Sequence, residues 1–278
     1  MYARSTARVK VNGMLSETFD LKRGTKQGDP LSAQIFAICI EPLAEKIRNN
    51  LKIKGVSVQE DEHKLALYAD DIIVYITDIK QTLPALLEEI NKYGEISGYK
   101  LNHNKTEAME IGENLENDFK KQFKLKWTRD KVRYLGIKIP NNLENLYQYN
   151  YGELLNTIRQ DLTRWKIVPL TLFEKVRIIK MNILPRYIFL FQNLPIHIKE
   201  KSFKLWESQL RNFLWDGNKP RVKMKVLQDN KEKGGLSLPN LKNYFFATHV
   251  RTMLVWFNEQ KNPKWKQIEL KLWHCRHL

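Results

Sequence analysis

Two adjacent aspartates, Asp70 and Asp71, lie between two short apolar segments of the chain. The segments are Lys64–Tyr68 and Ile72–Ile76, and their apolar and β-branched residues favour β-strands. Neighbouring side chains of a straight strand point to opposite faces, so the two carboxylates converge only if the dipeptide lies at a turn. The sequence therefore predicts a β-hairpin that carries both acids at its tip.

The acidic pair also predicts a metal site. Two carboxylates about 4 Å apart repel each other by roughly 4 kcal/mol at an effective dielectric constant of 20, and a divalent cation between them removes that repulsion. Mg²⁺ fits because it prefers hard oxygen ligands. Taken alone, the dipeptide leaves a second interpretation open, in which Asp70 and Asp71 form a solvated acidic turn without a ligand.

The charge of the chain is strongly basic and unevenly distributed. The 278 residues include 47 Lys and Arg against 31 Asp and Glu, a formal net charge of +16. Residues 1–140 contribute 23 − 20 = +3, and residues 141–278 contribute 24 − 11 = +13. A basic surface of this kind attracts polyanions such as nucleic acid or anionic lipid, although charge alone is also compatible with an ordinary solvated surface.

The cysteines argue against a secreted, disulfide-stabilised protein, and the most apolar segment argues against a membrane-spanning one. Cys39 and Cys275 are too far apart in sequence to indicate a disulfide scaffold, which favours a nuclear or cytoplasmic protein over a secreted one. Residues 178–198 are apolar but contain Lys180 and Arg186, which would be costly inside a bilayer. We therefore expect a buried, kinked helix there and no membrane partner.

Hydrophobic periodicity predicts an α+β fold in which strands and helices mix before Pro140 and helices dominate after it. In the first part, we expect a hairpin in which Val9–Val11 pairs with Thr18–Leu21 across the Asn12-Gly13 turn. A helix is expected to begin at Pro30, with Cys39 on its apolar stripe. A second helix is expected over Leu83–Ile96 and a strand over Tyr134–Ile139. The apolar stripes expected to be buried in the second part are Leu154, Ile158, Leu162 and Trp165; Phe173, Val176, Ile179 and Ile183; Phe203, Trp206, Leu210 and Phe213; and Phe246, Val250, Met253 and Phe257.

Four segments around the acidic pair occur in a fixed order. They are Gly24–Ser32 (GTKQGDPLS), Tyr68–Asp71 (YADD), Ser97–Thr106 (SGYKLNHNKT) and Tyr134–Lys138 (YLGIK). In this order and spacing they closely resemble the palm of reverse transcriptases, in particular those of non-LTR retrotransposons, the long interspersed elements. The helical part, including residues 179–185 and 233–239, resembles the region that follows the palm in these elements.

The resemblance implies roles for individual residues. Asp70 would be the main metal ligand of the hairpin and Asp71 a second acid, in a site that holds two Mg²⁺ ions in the complete enzyme. Lys105 would donate a proton to the pyrophosphate or neutralise its charge. The residues expected at the nucleotide, template or primer are Gln27 and Gly28 in the glycine-containing loop, Tyr68 before the acids, and Leu135 and Gly136 in the segment that resembles the primer grip.

The resemblance also implies a division of the chain and a set of partners. Residues 1–140 would be a partial palm, 141–220 a helical thumb and 221–278 a basic helical extension, acting on an RNA template, a DNA primer and deoxynucleoside triphosphates. The family carries another metal-binding Asp and the fingers upstream of the segment that matches Tyr2–Gly13. We therefore expect a truncated polymerase portion that needs the missing N-terminal part and has little activity by itself. The alternative is a non-catalytic nucleic-acid-binding module derived from a retrotransposon.

Overall fold

A computed structural model describes residues 5–21, 24, 28–112 and 114–275 of the chain. The chain divides into two compact units, Met1–Leu101 and Asn102–Leu278. Helices predominate, and the strands of the described ranges form six separate two-stranded ladders, which confirms the α+β prediction. The predicted division into palm, thumb and extension at residues 140 and 220 stays a prediction.

The described part of the N-terminal unit contains four antiparallel strand pairs and two long helices. The strands are β1 (Ser5–Ala7), β2 (Lys10–Val11), β3 (Met14–Leu15), β4 (Phe19–Leu21), β5 (Val56–Val58), β6 (Asp61–His63), β7 (Leu65–Tyr68) and β8 (Asp71–Val74), and the helices are α1 (Pro30–Asn49) and α2 (Ile79–Ser97). The pairs are β1 with β4, β2 with β3, β5 with β6 and β7 with β8.

The first hairpin forms at the predicted turn but with a different register. Asn12 and Gly13 both have positive φ, 49° and 86°, as a tight two-residue hairpin turn requires. This turn sets Val11 opposite Met14, so Phe19–Leu21 meets Ser5–Ala7. The predicted pairing of Val9–Val11 with Thr18–Leu21 was wrong because turn length, rather than strand propensity, fixes the register.

Helix α1 begins as its sequence predicts. The Asp29 carboxylate accepts a hydrogen bond from the Leu31 amide at 3.0 Å, and Pro30 occupies the first helical position, where its missing N–H has no cost. The buried residues of α1 are Ile40, Leu43, Ala44 and Ile47. All of these except Ala44 join Ile53 and residues of α2 in one apolar cluster. Cys39, expected on the buried stripe, is exposed because the contact with α2 is centred on the neighbouring face.

The C-terminal unit contains the remaining strands and most of the helices. Its strands are β9 (Glu107–Met109), β10 (Lys126–Thr128), β11 (Lys131–Tyr134) and β12 (Ile137–Pro140). Its helices are α3 (Asn117–Lys121), α4 (Glu153–Lys166), α5 (Leu172–Ile178), α6 (Leu184–Asn193), α7 (Glu200–Leu214), α8 (Met224–Gln228), α9 (Leu241–Phe257) and α10 (Lys264–Cys275). β9 and β10 pair in parallel, whereas β11 and β12 form an antiparallel hairpin.

An aromatic cluster around Trp206 forms the core of the C-terminal unit. Trp206 on α7 is fully buried, and its ring centroid lies 4.8 Å from Tyr187 and 5.2 Å from Phe203. Tyr151, at 5.5 Å, comes from the π-helical turn that precedes α4. Phe191 of α6 extends the cluster to Phe245 of α9 at 5.4 Å. Aromatic side chains thus join four helical segments that are distant in sequence.

The apolar segment 178–198 is helical for much of its length, as predicted. α5 continues through a π-helical turn, Ile179–Ile183, into α6, and Pro185 lies in the first turn of α6. Val176, Ile179 and Ile183 are buried, whereas Phe173 of the predicted stripe is 64% exposed. Within the described ranges, no helix is long and apolar enough to cross a membrane.

The last predicted stripe, on α9, is exposed and not buried as predicted. Phe246, Val250, Met253 and Phe257 of α9 are between 52% and 75% exposed. The helix is instead buried through Leu241 and Phe245, and Phe245 contacts the aromatic cluster. Because adjacent residues of a helix are rotated by about 100°, packing through Phe245 turns the neighbouring Phe246 stripe outward.

Replacing Trp206 tests whether the aromatic cluster holds the C-terminal unit together. We expect Trp206→Ala to lower the free energy of unfolding by about 3–5 kcal/mol, since it removes a large buried ring and leaves a cavity. Urea denaturation followed by circular dichroism measures the change. The matched control is Leu205→Ala, because the neighbouring Leu205 is 53% exposed and its removal leaves no core cavity. Equal destabilisation by the two substitutions would contradict this packing.

Candidate functional site

The acidic pair lies at the tip of the β7–β8 hairpin, as the sequence predicts. Tyr68 pairs with Asp71, so Ala69 and Asp70 alone form the connection between the strands. Asp70, Asp71 and Tyr68 are exposed, and Tyr68 retains 65% of its accessible surface. Among the described residues, neither carboxylate has a hydrogen-bond or ion-pair partner that would occupy it. The tip therefore presents two carboxylates and one phenol to solvent.

The turn places Ala69 in a conformation that is unusual for a residue with a side chain. Its φ is 51°, in the left-handed region, where an L-residue is disfavoured by roughly 1–2 kcal/mol. Backbone strain of this kind persists only where the surrounding structure fixes it, and it occurs often at functional sites. Here the paired strands on both sides of the connection hold it in place.

Apolar packing fixes the base of the hairpin on the two helices. Leu65, Ile72 and Val74 of the strands pack against the cluster that α1 and α2 form. The Lys64 side chain is 8% exposed, and its Nζ donates hydrogen bonds of 2.9 Å to the carbonyl oxygens of Arg48 and Asn50 at the end of α1. The hairpin tip is thus exposed, whereas its base is anchored.

Tyr99 is a residue near the acids that the motif analysis did not single out. It follows Gly98, the left-handed residue that ends α2, and it packs against the same apolar cluster as the hairpin. Burial raises the pKa of Tyr99, and the negative charge of Asp70 raises it further, so the phenol stays protonated at neutral pH. The available sequence signal was its place in the Ser97–Thr106 segment.

The glycine-containing loop is described only in part. Gln27 lies outside the described residues, so its predicted contact with nucleotide and template stays a prediction. Gly28 has a φ of 85°, a conformation that glycine adopts without strain, and it directly precedes the Asp29 cap of α1. The positive φ of Gly28 lets the backbone turn sharply from the loop into α1.

Lys105 lies in a tight turn at the start of the C-terminal unit. Its amide donates to the Asn102 carbonyl oxygen at 3.0 Å, and the Thr106 amide donates to the same oxygen at 2.9 Å. The Lys105 side chain is exposed. Because Lys105 and Asp70 belong to different units, the predicted role of Lys105 at the leaving pyrophosphate stays a prediction.

A buried carboxylate stabilises the segment that follows Lys105. The Glu110 side chain is 3% exposed, and Lys120 Nζ lies 2.6 Å from one of its oxygens. Burial alone would raise the pKa of Glu110, but the Lys120 hydrogen bond and the Leu115 amide outweigh it and hold the pKa below its usual range. Glu110 therefore remains charged and ties β9 to α3.

Leu135 and Gly136 form a hairpin turn rather than the interior of a strand. Their φ values of 47° and 83° are both positive, and they connect β11 to β12. The predicted continuous strand over Tyr134–Ile139 was wrong here, since Leu135-Gly136 gives a turn and reverses the chain. A Cβ on Gly136 would lie 3.3 Å from Phe189 of α6. The turn is thus packed closely on the helical part of its own unit.

The carboxylates of the hairpin tip are suitable ligands for Mg²⁺, but two carboxylates alone do not complete its coordination. Asp70 and Asp71 offer hard oxygen ligands, and Mg²⁺ in nucleotide-processing sites is held by one or two carboxylates together with substrate phosphates. Across the described ranges, no three His, Cys, Asp or Glu side chains come together as a metal site. A divalent ion at this tip would therefore need further ligands besides Asp70 and Asp71, such as phosphates or other carboxylates.

Comparison with known proteins connects this geometry to a family. Residues 1–139 match the family described as "Reverse transcriptase (RNA-dependent DNA polymerase)". The chain is 25% identical over 273 residues to the "Transposon TX1 uncharacterized 149 kDa protein" of Xenopus laevis, a match that covers 95% of this chain and 20% of that protein.

Two further relatives are proteins of retrotransposable elements. The "Retrovirus-related Pol polyprotein from type-2 retrotransposable element R2DM" of Drosophila melanogaster is 32% identical over 94 residues, covering 34% of this chain and 8% of that protein. A type-1 R2 polyprotein of Popillia japonica is 22% identical over 202 residues, covering 68% of this chain and 27% of that protein. The matches thus span at most 27% of the length of these relatives.

Substitution of Gly136 tests the packing of the Leu135-Gly136 turn. We expect Gly136→Ala to lower the free energy of unfolding by about 1 kcal/mol more than Gly112→Ala, measured by urea denaturation. Both glycines have positive φ, 83° and 88°, so both substitutions carry the same backbone strain. Only a Cβ at Gly136 meets Phe189, whereas one at Gly112 meets no described atom within 4 Å. Equal losses would show that the Phe189 contact is unimportant.

Proposed function

Because this chain belongs to the reverse transcriptase (RNA-dependent DNA polymerase) family, we propose that it forms part of the palm, the thumb and a basic extension of a retrotransposon polymerase. The family match confirms the resemblance that the four sequence segments predicted. The observation that carries the proposal is the exposed tip of the β7–β8 hairpin, where Asp70 and Asp71 lie inside the matched region.

In this proposal Asp70 is the main ligand of Mg²⁺ and Asp71 is a second acid beside it. When bound, Mg²⁺ lowers the pKa of a primer 3′-hydroxyl and neutralises charge on the phosphates. The chain contributes a rigid base beneath the acids, since Lys64 and the apolar faces of the strands fix the hairpin on α1 and α2. The protonated Tyr99 adds no negative charge next to Asp70.

The remaining predicted site residues would bind the nucleic acid and the nucleotide. Gln27 and Gly28 would lie at the incoming nucleotide and template, where glycine permits close approach of the backbone. The Leu135-Gly136 turn would contact the primer through its backbone. Lys105, with a positive charge on an exposed side chain, would neutralise the pyrophosphate that leaves.

The charge distribution supports a role in binding the duplex. Residues 141–278 carry 24 basic and 11 acidic residues, so the proposed thumb (141–220) and extension (221–278) are strongly positive. Cationic side chains that neutralise phosphates release counterions, which makes binding strong at low salt and weak at high salt. The partner in this proposal is an RNA template paired with a DNA primer.

By itself, the 278-residue chain is proposed to bind template–primer without extending it. Within the described part of the chain, no third carboxylate joins Asp70 and Asp71 in a metal site. This observation also favours the second candidate function, a non-catalytic nucleic-acid-binding module. The two candidates differ in whether Asp70 and Asp71 hold a metal when substrate is present.

A combined binding and extension assay tests the proposal. We expect the chain to bind an RNA–DNA duplex at 50 mM salt and to lose at least about tenfold in affinity by 200 mM, because phosphate contacts release counterions. We expect no extension of an oligo(dT) primer on poly(rA) with Mg²⁺ or Mn²⁺. Fluorescence anisotropy and gel analysis measure the two quantities.

The Asp70→Asn variant is the control for both measurements. Without metal, it should bind the duplex as the unchanged chain does, since Asp70 is proposed to hold the metal ion and not the duplex itself. Absence of duplex binding at 50 mM salt would contradict the proposed function. Robust incorporation that Asp70→Asn abolishes would contradict the proposed inactivity of the isolated chain.

A further inference from the structure

A polar cleft of about 660 Å³ lies in the C-terminal unit, at a distance in sequence from the acidic hairpin. Its walls come from α7, from α8 with the loop that follows it, and from the first turn of α9. The volume is within the range of about 300–1,000 Å³ that is typical of sites for small ligands. The residues on which the argument depends are Lys225, Gln228, Asn230, Asn243 and Tyr244, together with the acids Glu207 and Asp229.

The loop that forms the cleft is held rigidly. The buried Leu227 accepts hydrogen bonds at its carbonyl oxygen from the amides of Leu236, at 3.1 Å, and Leu238, at 2.9 Å. A Cβ on Gly235 would lie 2.0 Å from the Asp229 carbonyl oxygen, so only glycine fits there. Lys180 Nζ donates to the Leu236 carbonyl oxygen at 3.0 Å. The cleft therefore needs little rearrangement to receive a ligand.

Several amide groups of the cleft have unused hydrogen-bonding capacity. Asn240 Nδ2 donates to Gln228 Oε1 at 3.3 Å, which leaves Gln228 Nε2 without a protein partner among the described residues. The side-chain amides of Asn230 and Asn243 also make no hydrogen bond within the described structure. An amide group donates and accepts at once, which matches the edge of a nucleobase.

The cleft also contains an aromatic ring, a cationic side chain and two carboxylates that can contact a ligand. Tyr244 is 40% exposed, and its ring pairs with no other described aromatic ring. Bases stack on such rings in single-stranded nucleic-acid sites. Lys225 offers a positive charge for a phosphate, and residues 219–242 contain seven basic and two acidic residues. Glu207 and Asp229 can accept hydrogen bonds from the amino group of a base.

We propose that this cleft binds one unpaired base of a single-stranded nucleic acid. Tyr244 stacks on the base, the amides and carboxylates contact its edge, and Lys225 meets the neighbouring phosphate. Glu207 and Asp229 only accept hydrogen bonds, so they favour bases with an exocyclic amino donor (adenine, cytosine, guanine) over uracil and thymine, whose exocyclic oxygens are acceptors and whose single edge donor is the ring N3–H. A base paired in a duplex hides this edge, so the ligand of the cleft is an unpaired strand rather than the proposed duplex, and its binding does not depend on polymerase activity.

The composition of the cleft favours a nucleic acid over a peptide. Apart from the Tyr244 ring, the apolar residues of its lining are Leu238 and Pro239, both buried, so it offers no pocket for a large apolar side chain. The net charge of +16 further favours a polyanionic strand.

Anisotropy with short labelled oligonucleotides tests this proposal. Heptamers of cytidine and of uridine are titrated at 200 mM salt with the full chain and with variants. We expect the cytidine heptamer to bind more tightly than the uridine heptamer. Tyr244→Ala should weaken cytidine binding by about fivefold or more, as expected for the loss of one stacked base, whereas Tyr244→Phe should retain most of the affinity.

Further variants separate base recognition from phosphate binding. Asn243→Ala should reduce the preference for cytidine over uridine, and Lys225→Ala should reduce the salt slope by about one. Phe246→Ala is the matched control, because Phe246 is exposed on α9 outside the cleft and should leave affinity unchanged. Equal affinity for both heptamers, or equal affinity of Tyr244→Ala and the unchanged chain, would overturn the proposal.

An RNA–DNA duplex titrated in parallel distinguishes this proposal from the proposed function. Duplex binding without heptamer binding would overturn the cleft proposal alone. Heptamer binding that Tyr244→Ala weakens, without duplex binding, would support the cleft and contradict the proposed duplex-binding role.

Discussion

The two-residue connection between β7 and β8 determines where the acidic pair of this chain lies. With Tyr68 paired to Asp71, Ala69 and Asp70 must reverse the chain alone, and Ala69 adopts a positive φ to do so. A two-stranded hairpin is only marginally stable by itself in water. Its apolar side chains pack on α1 and α2, and Lys64 binds the carbonyl oxygens at the end of α1. The exposed carboxylates therefore depend on a buried base of apolar contacts.

The C-terminal unit is organised differently: a buried aromatic core around Trp206 joins helices whose surfaces carry basic side chains. Trp206 and its neighbours join α6, α7, α9 and the turn before α4 into one core. The helices of this core carry many of the basic residues of positions 141–278, whose charge we propose acts on phosphates. The acidic pair and the excess of positive charge thus belong to separate parts of the chain.

Local signals predicted much of the fold and the acidic hairpin, while tertiary contacts decided the rest. The Asp70-Asp71 turn followed from the apolar runs on both sides, and the start of α1 followed from Asp29 and Pro30. The stripe that includes Phe246 and Phe257 was correctly periodic, but periodicity does not show which face meets a neighbour, and Phe245 is the buried residue. The role of Lys105 depends on the arrangement of two units, which no local pattern specifies.

Metal binding at the hairpin tip tests the proposed site most directly. Mn²⁺ can replace Mg²⁺ as a paramagnetic probe, and electron paramagnetic resonance measures its affinity for the chain bound to an RNA–DNA template–primer and a deoxynucleoside triphosphate. Asp70→Asn is compared with Asp78→Asn, because Asp78 is an exposed aspartate of the same unit that makes no side-chain cap on α2. We expect Asp70→Asn to weaken Mn²⁺ binding by about tenfold or more and Asp78→Asn to leave it unchanged. Equal Mn²⁺ affinity of the unchanged chain and Asp70→Asn would contradict a metal site at this turn.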